Sequence, residues 1–171
     1  MEHCPYWNPS WHAKAHQAES FRDLGQIALS VLKQFPAYMH GKIYQVCGPV
    51  STGGFNNSRT NRQVLGSAVR LLREEGKHVF DQTHLEVHIA RLWNAWLLEG
   101  NSGYCWPILH EGYRPLFESG LLGRLYFLKG WDGSVGSCWE RAQGLAHKID
   151  IQPYPPELYE EALRRLELAH H

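Results

Sequence analysis

The residues best suited to chemistry lie in the segment GWDGSVGSCWERAQG at positions 130–144, which follows the apolar run LYFLKG. The pattern predicts a strand at 124–129, a turn and then a helix. Ser134 and the amides near Gly136 would lie at the helix N-terminus, which favours an anion. Glu140 follows about one turn later, where a carboxylate would stay ionised and nucleophilic. The competing interpretation is a solvated glutamate near the start of an ordinary helix.

A second candidate segment is CGPVSTGG at positions 47–54, which follows the predicted strand 42–50. Its glycines allow the backbone to approach a ligand, although it has neither the Walker pattern nor GxGxxG. A glycine-rich turn of this kind is as often purely structural. Because the carboxyl ends of parallel strands meet at one edge of a sheet, the two segments together favour a pocket at that edge.

The remaining sequence predicts the elements that would position these loops. A strand, a glycine loop, a helix and a strand in succession indicate a βαβ unit, and hence a parallel sheet. We therefore predict a single-domain α/β fold, a Rossmann-like (flavodoxin-like) parallel sheet of about four to five strands flanked by helices. Residues 1–17 read as an extended aromatic arm, and with the next helix they form an N-terminal helical extension, residues 1–40, ahead of the α/β domain at 41–171. Apolar periodicity predicts helices at 18–35, 58–76, 85–98, 110–121, 135–146 and 155–171, and strands at 77–82 and within 147–155.

Composition narrows the class of function. The 171 residues carry no net charge, so there is no basic excess to neutralise a nucleic acid polymer or an acidic membrane surface. The four cysteines form no CxxC pair and predict reduced thiols, and the 11 histidines show no metal-binding spacing. No apolar run is long enough to span a bilayer. We therefore expect a cytoplasmic protein that uses neither a cofactor nor a metal.

The pattern IYQVCGPVSTGG, followed by GKHVF and then LYFLKGWDGSVGSCWERAQGLA, resembles the nucleoside 2-deoxyribosyltransferase-like superfamily. The resemblance covers about residues 42–152, with Lys129 where the family usually has proline. It implies cleavage of the N-glycosidic bond of a nucleoside or a nucleoside 5′-monophosphate. A glutamate attacks C1′ of the sugar, and water or a second base then takes the sugar from the enzyme.

By position, the resemblance makes Glu140 the nucleophile and Tyr44 the residue that orients it. It assigns the sugar and phosphate contacts to the two loops, namely to Gly48, Ser51, Thr52, Gly53, Gly54, Ser134 and Gly136. Trp131 is the preferred stacking partner for the base, with Trp106 and Tyr113 as alternatives. The family's usual acid, an aspartate before the third strand, is missing. Asp81, assigned here to the substrate site, is one possible replacement; the others are His84, Glu111 and Glu118.

Two other functions stay open from the sequence. One is a nucleotide-binding or sensor protein of the same fold without turnover. The other is a structural protein whose tryptophan-rich arm mediates assembly, since family members are commonly homodimers or larger homo-oligomers.

Overall fold

A computed structural model of the chain describes residues 6–168. The described chain is mixed α/β, as predicted. Its α-helices are α1 Pro9–Gln17, α2 Phe21–Leu32, α3 Ser58–Glu74, α4 Glu86–Leu98, α5 Arg114–Glu118, α6 Val135–Ala146 and α7 Pro156–Leu168. Its strands are β1 Ile43–Cys47, β2 Leu122–Phe127 and β3 Asp150–Pro153.

The chain divides into two compact units. One comprises Met1–His40 with His84–Leu121, and the other Gly41–Thr83 with Leu122–His171. The first unit thus includes part of the segment predicted as the 41–171 domain. All three strands and helices α3, α6 and α7 belong to the second unit.

The sheet of the second unit has the order β1-β2-β3, and both strand pairs are parallel. This confirms the predicted parallel sheet flanked by helices. The predicted strand at 77–82 is reduced to a single bridge, in which the amide of Tyr44 donates to the carbonyl of His78 at 2.7 Å. The reason lies in Asp81, whose carboxylate accepts the amide of Thr83 at 3.0 Å and turns the chain away from the sheet.

Helices cover both faces of this sheet. Alternate strand residues such as Val46 and Tyr126 point to one face, where they join a buried cluster with side chains of α3, α7 and their neighbours. Helix α6 lies on the other face. A Cβ at Gly144 would lie 2.7 Å from Leu125, so the absence of a side chain there allows α6 to approach the sheet closely.

The first unit is helical. Ser20 and Asp23 form a capping box at the start of α2, which therefore begins three residues after the predicted boundary. Six buried side chains from α1, α2, α4 and the segment before α5 form its described cluster: Ala15, Ala18, Phe21, Leu24, Leu92 and Cys105. A wide helical turn, Ile108–Tyr113, precedes α5 in place of the start of one regular helix at 110–121.

The prediction of an extended arm is wrong for residues 9–17, which form α1. Asn8 caps this helix by accepting the amide of Trp11 at 3.1 Å, and Pro9 occupies the first helical position. Both residues are favoured at those positions. The first five residues of the predicted arm lie outside the described range.

Among the described helices, none combines the length and the apolar character needed to cross a membrane.

Candidate functional site

The two glycine-bearing loops lie against each other in the second unit. Gly53 has a φ of +72°, and a Cβ there would lie 2.6 Å from the backbone of Gly133. Gly130 similarly lies beside Gly54, because a Cβ added to Gly130 would be 3.5 Å from the Cα of Gly54. The loop after β1 and the loop after β2 therefore meet backbone to backbone, at the carboxyl ends of two adjacent parallel strands.

Asn61, at the start of α3, fixes the shape of the first loop. Its amide group donates to the carbonyls of Val50 and Gly53 at 3.2 and 3.1 Å, and its carbonyl accepts the amide of Phe55 at 3.0 Å. Asn61 is buried, so these bonds are shielded from water. The loop is thus held in one conformation before any ligand binds.

The N-terminus of α6 is capped from both loops. Ser134 Oγ accepts the amide of Ser137 at 3.3 Å, and Thr52 Oγ1 accepts the amide of Val135 at 3.2 Å. The amides of Val135 and Ser137, on either side of Gly136, are thus already bonded. The predicted loop residues are therefore together, but Thr52 serves the helix as well as any ligand.

Glu140 is buried on the face of α6 that meets the sheet. Its side chain accepts a hydrogen bond at 3.2 Å from the amide group of Gln45, which lies on β1 and is fully buried. Glu140 itself is only 9% exposed. The interpretation of Glu140 as a solvated surface residue is therefore wrong, because the carboxylate points to the sheet.

Cys47 is the second neighbour of this carboxylate. It lies two residues after Gln45, on the same face of β1, and its thiol hydrogen-bonds to Glu140. Burial, and then the charge of Glu140, raise the pKa of the Cys47 thiol well above its usual range. The thiol stays protonated and acts as a permanent weak donor to Glu140.

The structure does not bring Tyr44 and Glu140 together. Tyr44 points to the opposite face of β1, where its ring meets that of Tyr126 at 5.8 Å and lies 5.6 Å from the guanidinium of Arg124. The neighbouring residue Gln45, not Tyr44, donates the hydrogen bond to Glu140. Strand alternation explains the difference, since neighbouring residues on a strand face opposite sides.

Three further predicted residues also belong to the second unit. Gly48 follows β1 directly and is buried against Leu128, and Ser51 is exposed. Asp81 is buried, and its carboxylate accepts the hydroxyl of Thr83 at 2.5 Å and lies 3.9 Å from the guanidinium of Arg73.

Trp131, the candidate for stacking on a base, is half-buried at the turn after β2. Its ring meets that of Phe127 edge-on at 5.3 Å, and the guanidinium of Arg141 lies 5.4 Å from its centre. These contacts fix the orientation of the indole.

The remaining candidates belong to the first unit. Glu111 lies 3.9 Å from Arg22, Glu118 is exposed and Tyr113 is buried. Trp106 is 45% exposed and stacks on His110.

Sequence reasoning missed Gln45, Cys47, Ser137 and Asn61. Gln45 carried a usable signal, because a glutamine inside the apolar strand IYQVC must find a partner if it is buried. Ser137 is also buried, one turn before Glu140 on the same helix face, and its hydroxyl has no hydrogen-bond partner in the described range. Gln45 Oε1 is likewise unpartnered there.

In the described part of the chain, no three histidine, cysteine or carboxylate side chains are arranged to hold a metal ion. Comparison with family models, with curated proteins and with solved structures found no significant match to this chain.

Proposed function

We propose that the protein cleaves or transfers the N-glycosidic bond of a nucleoside or a nucleoside 5′-monophosphate, with Glu140 as the nucleophile. The observation that carries this proposal is the buried hydrogen bond from Gln45 to Glu140, which joins β1 to α6, the two elements that flank the glycine loops at the carboxyl edge of the parallel sheet. Ligands of open parallel sheets bind at that edge.

The reaction balances as follows. A carboxylate oxygen of Glu140 bonds to C1′ of the sugar while the bond from C1′ to the base nitrogen breaks, and the electron pair leaves with the base. Water or a second base then attacks C1′ and releases Glu140. Two displacements of this kind retain the configuration at C1′, and they need a carboxylate close to that anomeric carbon. Gln45 and Cys47 hold the carboxylate of Glu140 in place.

We propose that Asp81 donates the proton to the leaving base. Asp81 lies two residues after the bridge at Val79, and its carboxylate accepts a hydrogen bond from the hydroxyl of Thr83. It belongs to the same unit as Glu140 and follows the segment that pairs with the outer side of β1. A carboxyl group that can reach the leaving base is one of the side chains that serve as general acids.

We also propose that the sheet has the strand order of a flavodoxin-like fold. With the Val79 bridge included, the parallel order becomes the bridging segment, β1, β2 and β3. In chain order this is 2-1-3-4, the arrangement of flavodoxin-like sheets. The switch point of such a sheet lies between its first and third strands, here β1 and β2, whose loops meet.

One observation favours the second candidate, a nucleotide-binding protein without turnover. The carboxylate of Glu140 is already engaged by Gln45 and Cys47, and Thr52 already caps α6. A buried, satisfied glutamate of this kind can serve packing alone.

Incubation of the purified chain with a panel of nucleosides and 5′-monophosphates tests the proposal. Each reaction is run with and without a free acceptor base, and released base is measured by chromatography. Release without an acceptor indicates a hydrolase, and release that requires one indicates a transferase. Nucleotide binding without any release would support the second candidate.

A further inference from the structure

Four histidines of the first unit lie in two pairs that face each other. His12 and His16 are four residues apart in α1, whereas His84 lies in the 3-10 turn Gln82–Leu85 and His88 in the first turn of α4. The rings of His12 and His84 are 5.1 Å apart, and those of His16 and His88 are 6.3 Å apart. Residues spaced by four share one helix face, so α1 presents both of its rings to His84 and His88.

Trp7 covers one end of this group. Its ring is 5.7 Å from that of His12 and 5.4 Å from that of His84, and it is 3% exposed. At the other end, the guanidinium of Arg91 donates to the carbonyls of Ala15 and Ala18 at 3.4 and 2.6 Å. Arg91 thus joins the C-terminal end of α1 to α4 and adds a fixed positive charge.

We propose that His88, packed against α1 within this histidine group, is a pH-sensitive latch that holds α1 on α4 at neutral pH and releases it under mildly acidic conditions. The ring of His88 is buried and lies 6.3 Å from that of His16 on α1. A proton on this ring places a positive charge in a buried position beside the permanent charge of Arg91.

The surroundings of His88 show why its protonation opposes docking. Burial, then Arg91, His16 and His12, lower the pKa of His88 below its usual range. The other elements packed on α4 contribute to their shared cluster the apolar Phe21 and Leu24 of α2 and the buried, neutral thiol of Cys105. On α4 itself, Glu86 is the acidic residue of the first turn.

The sign of the effect follows from linkage. A histidine whose pKa is lowered in the docked state binds fewer protons there than in the released state. The docking free energy is therefore fully present above the ordinary histidine pKa of about 6.5 and is lost as the pH falls below it. Helix α1 is anchored by few buried side chains, Trp7, Ala15 and Ala18, so local release is possible without global unfolding.

Hydrogen exchange of the intact chain tests the latch, with rates corrected for the intrinsic pH dependence of exchange. Between pH 7.5 and pH 5.5 we expect the protection of residues 9–17 to fall, because the released state binds the proton of His88 more readily than the docked state. Helix α3 of the other unit should change little. Equal protection of α1 at both pH values would overturn the proposal.

Histidine variants identify the group responsible. In His88→Gln, which keeps a polar side chain but removes the titratable ring, the pH dependence of α1 protection should be lost or strongly reduced. His78→Gln, an exposed histidine of the other unit, is the matched control and should retain it. An unchanged pH dependence in His88→Gln would contradict the latch. His16→Gln, which removes the exposed ring that contacts His88, should weaken the pH dependence and gives a second test.

Discussion

The amide nitrogen of Gln45 lies 3.2 Å from a carboxylate oxygen of Glu140, and the two residues are 95 positions apart in the sequence. This bond joins the first strand to the helix after the second strand, and the loops that leave these two strands contact each other at Gly53 and Gly133. A buried carboxylate that a strand residue orients is a preorganised group, which is what nucleophilic attack on a sugar requires.

Replacement of Gln45 with leucine should destabilise the protein by about 1–3 kcal/mol, because the buried carboxylate of Glu140 loses a donor. In a Glu140→Gln background the same replacement should cost less, since no charge is left unpaired. Urea unfolding of the four proteins gives the coupling energy directly. Additive effects would show that this bond contributes no stability.

Gly53→Ala should destabilise the protein by more than about 2 kcal/mol. The φ of +72° strains any side chain, and the new Cβ would lie 2.6 Å from the backbone of Gly133. Gly41→Ala is the matched control, because Gly41 has nearly the same φ, +71°, with no atom within 4 Å of the added Cβ. It should cost only about 1 kcal/mol, the strain alone. Equal thermal unfolding midpoints for the two variants would mean that the loops do not pack as described.

The Cys47 thiol should make stability fall at alkaline pH. Its raised pKa means that the folded state keeps a proton that the unfolded state releases above the ordinary thiol value of about 8.5. This contribution is therefore present below that pH and is lost above it, at up to about 1.4 kcal/mol per pH unit.

Urea unfolding at pH 7.5 and pH 9.5 measures this loss, and Cys47→Val should show a smaller one. Cys105, whose pKa burial also raises, is common to both proteins and cancels in the comparison. Identical pH dependence in the two proteins would refute the buried thiol–carboxylate contact.

Asp81→Asn should lower the rate of base release by about 10²–10⁴ if Asp81 protonates the leaving base. A substrate whose base leaves without protonation, such as an N7-methylated purine nucleoside, should recover most of that rate. Thr83→Val, which removes only the hydroxyl partner of Asp81, should reduce the rate far less. An equal loss with both kinds of substrate would assign Asp81 a structural role.

The sequence was sufficient to predict the parallel sheet and the meeting of the two loops, because strand and turn patterns are local and the edge rule is general. It did not predict that the segment around Val79 forms only one bridge, since the turn at Asp81 depends on a side-chain hydrogen bond to Thr83. The sequence Asn8–Pro9 is typical of a helix N-terminus and could have predicted α1. The aromatic composition of the segment favoured an extended arm instead.

The environment of Glu140 lay beyond the sequence for a different reason. Helical position placed the residue near the start of α6, but its burial depends on the close approach of α6 to the sheet at Gly144. Its partner was predicted one residue away from the correct one. The family resemblance pointed to Tyr44. Because neighbouring strand residues face opposite sides of the sheet, it is Gln45 that contacts Glu140.

The most direct test of the central claim compares base release by the unaltered chain and by Glu140→Gln under saturating substrate. Glutamine keeps the shape of the side chain and removes the nucleophilic oxygen anion. We predict a loss of at least about 10³ in rate, with the binding of a nucleoside 5′-monophosphate retained in calorimetry. Base release at the unaltered rate by Glu140→Gln would contradict the account.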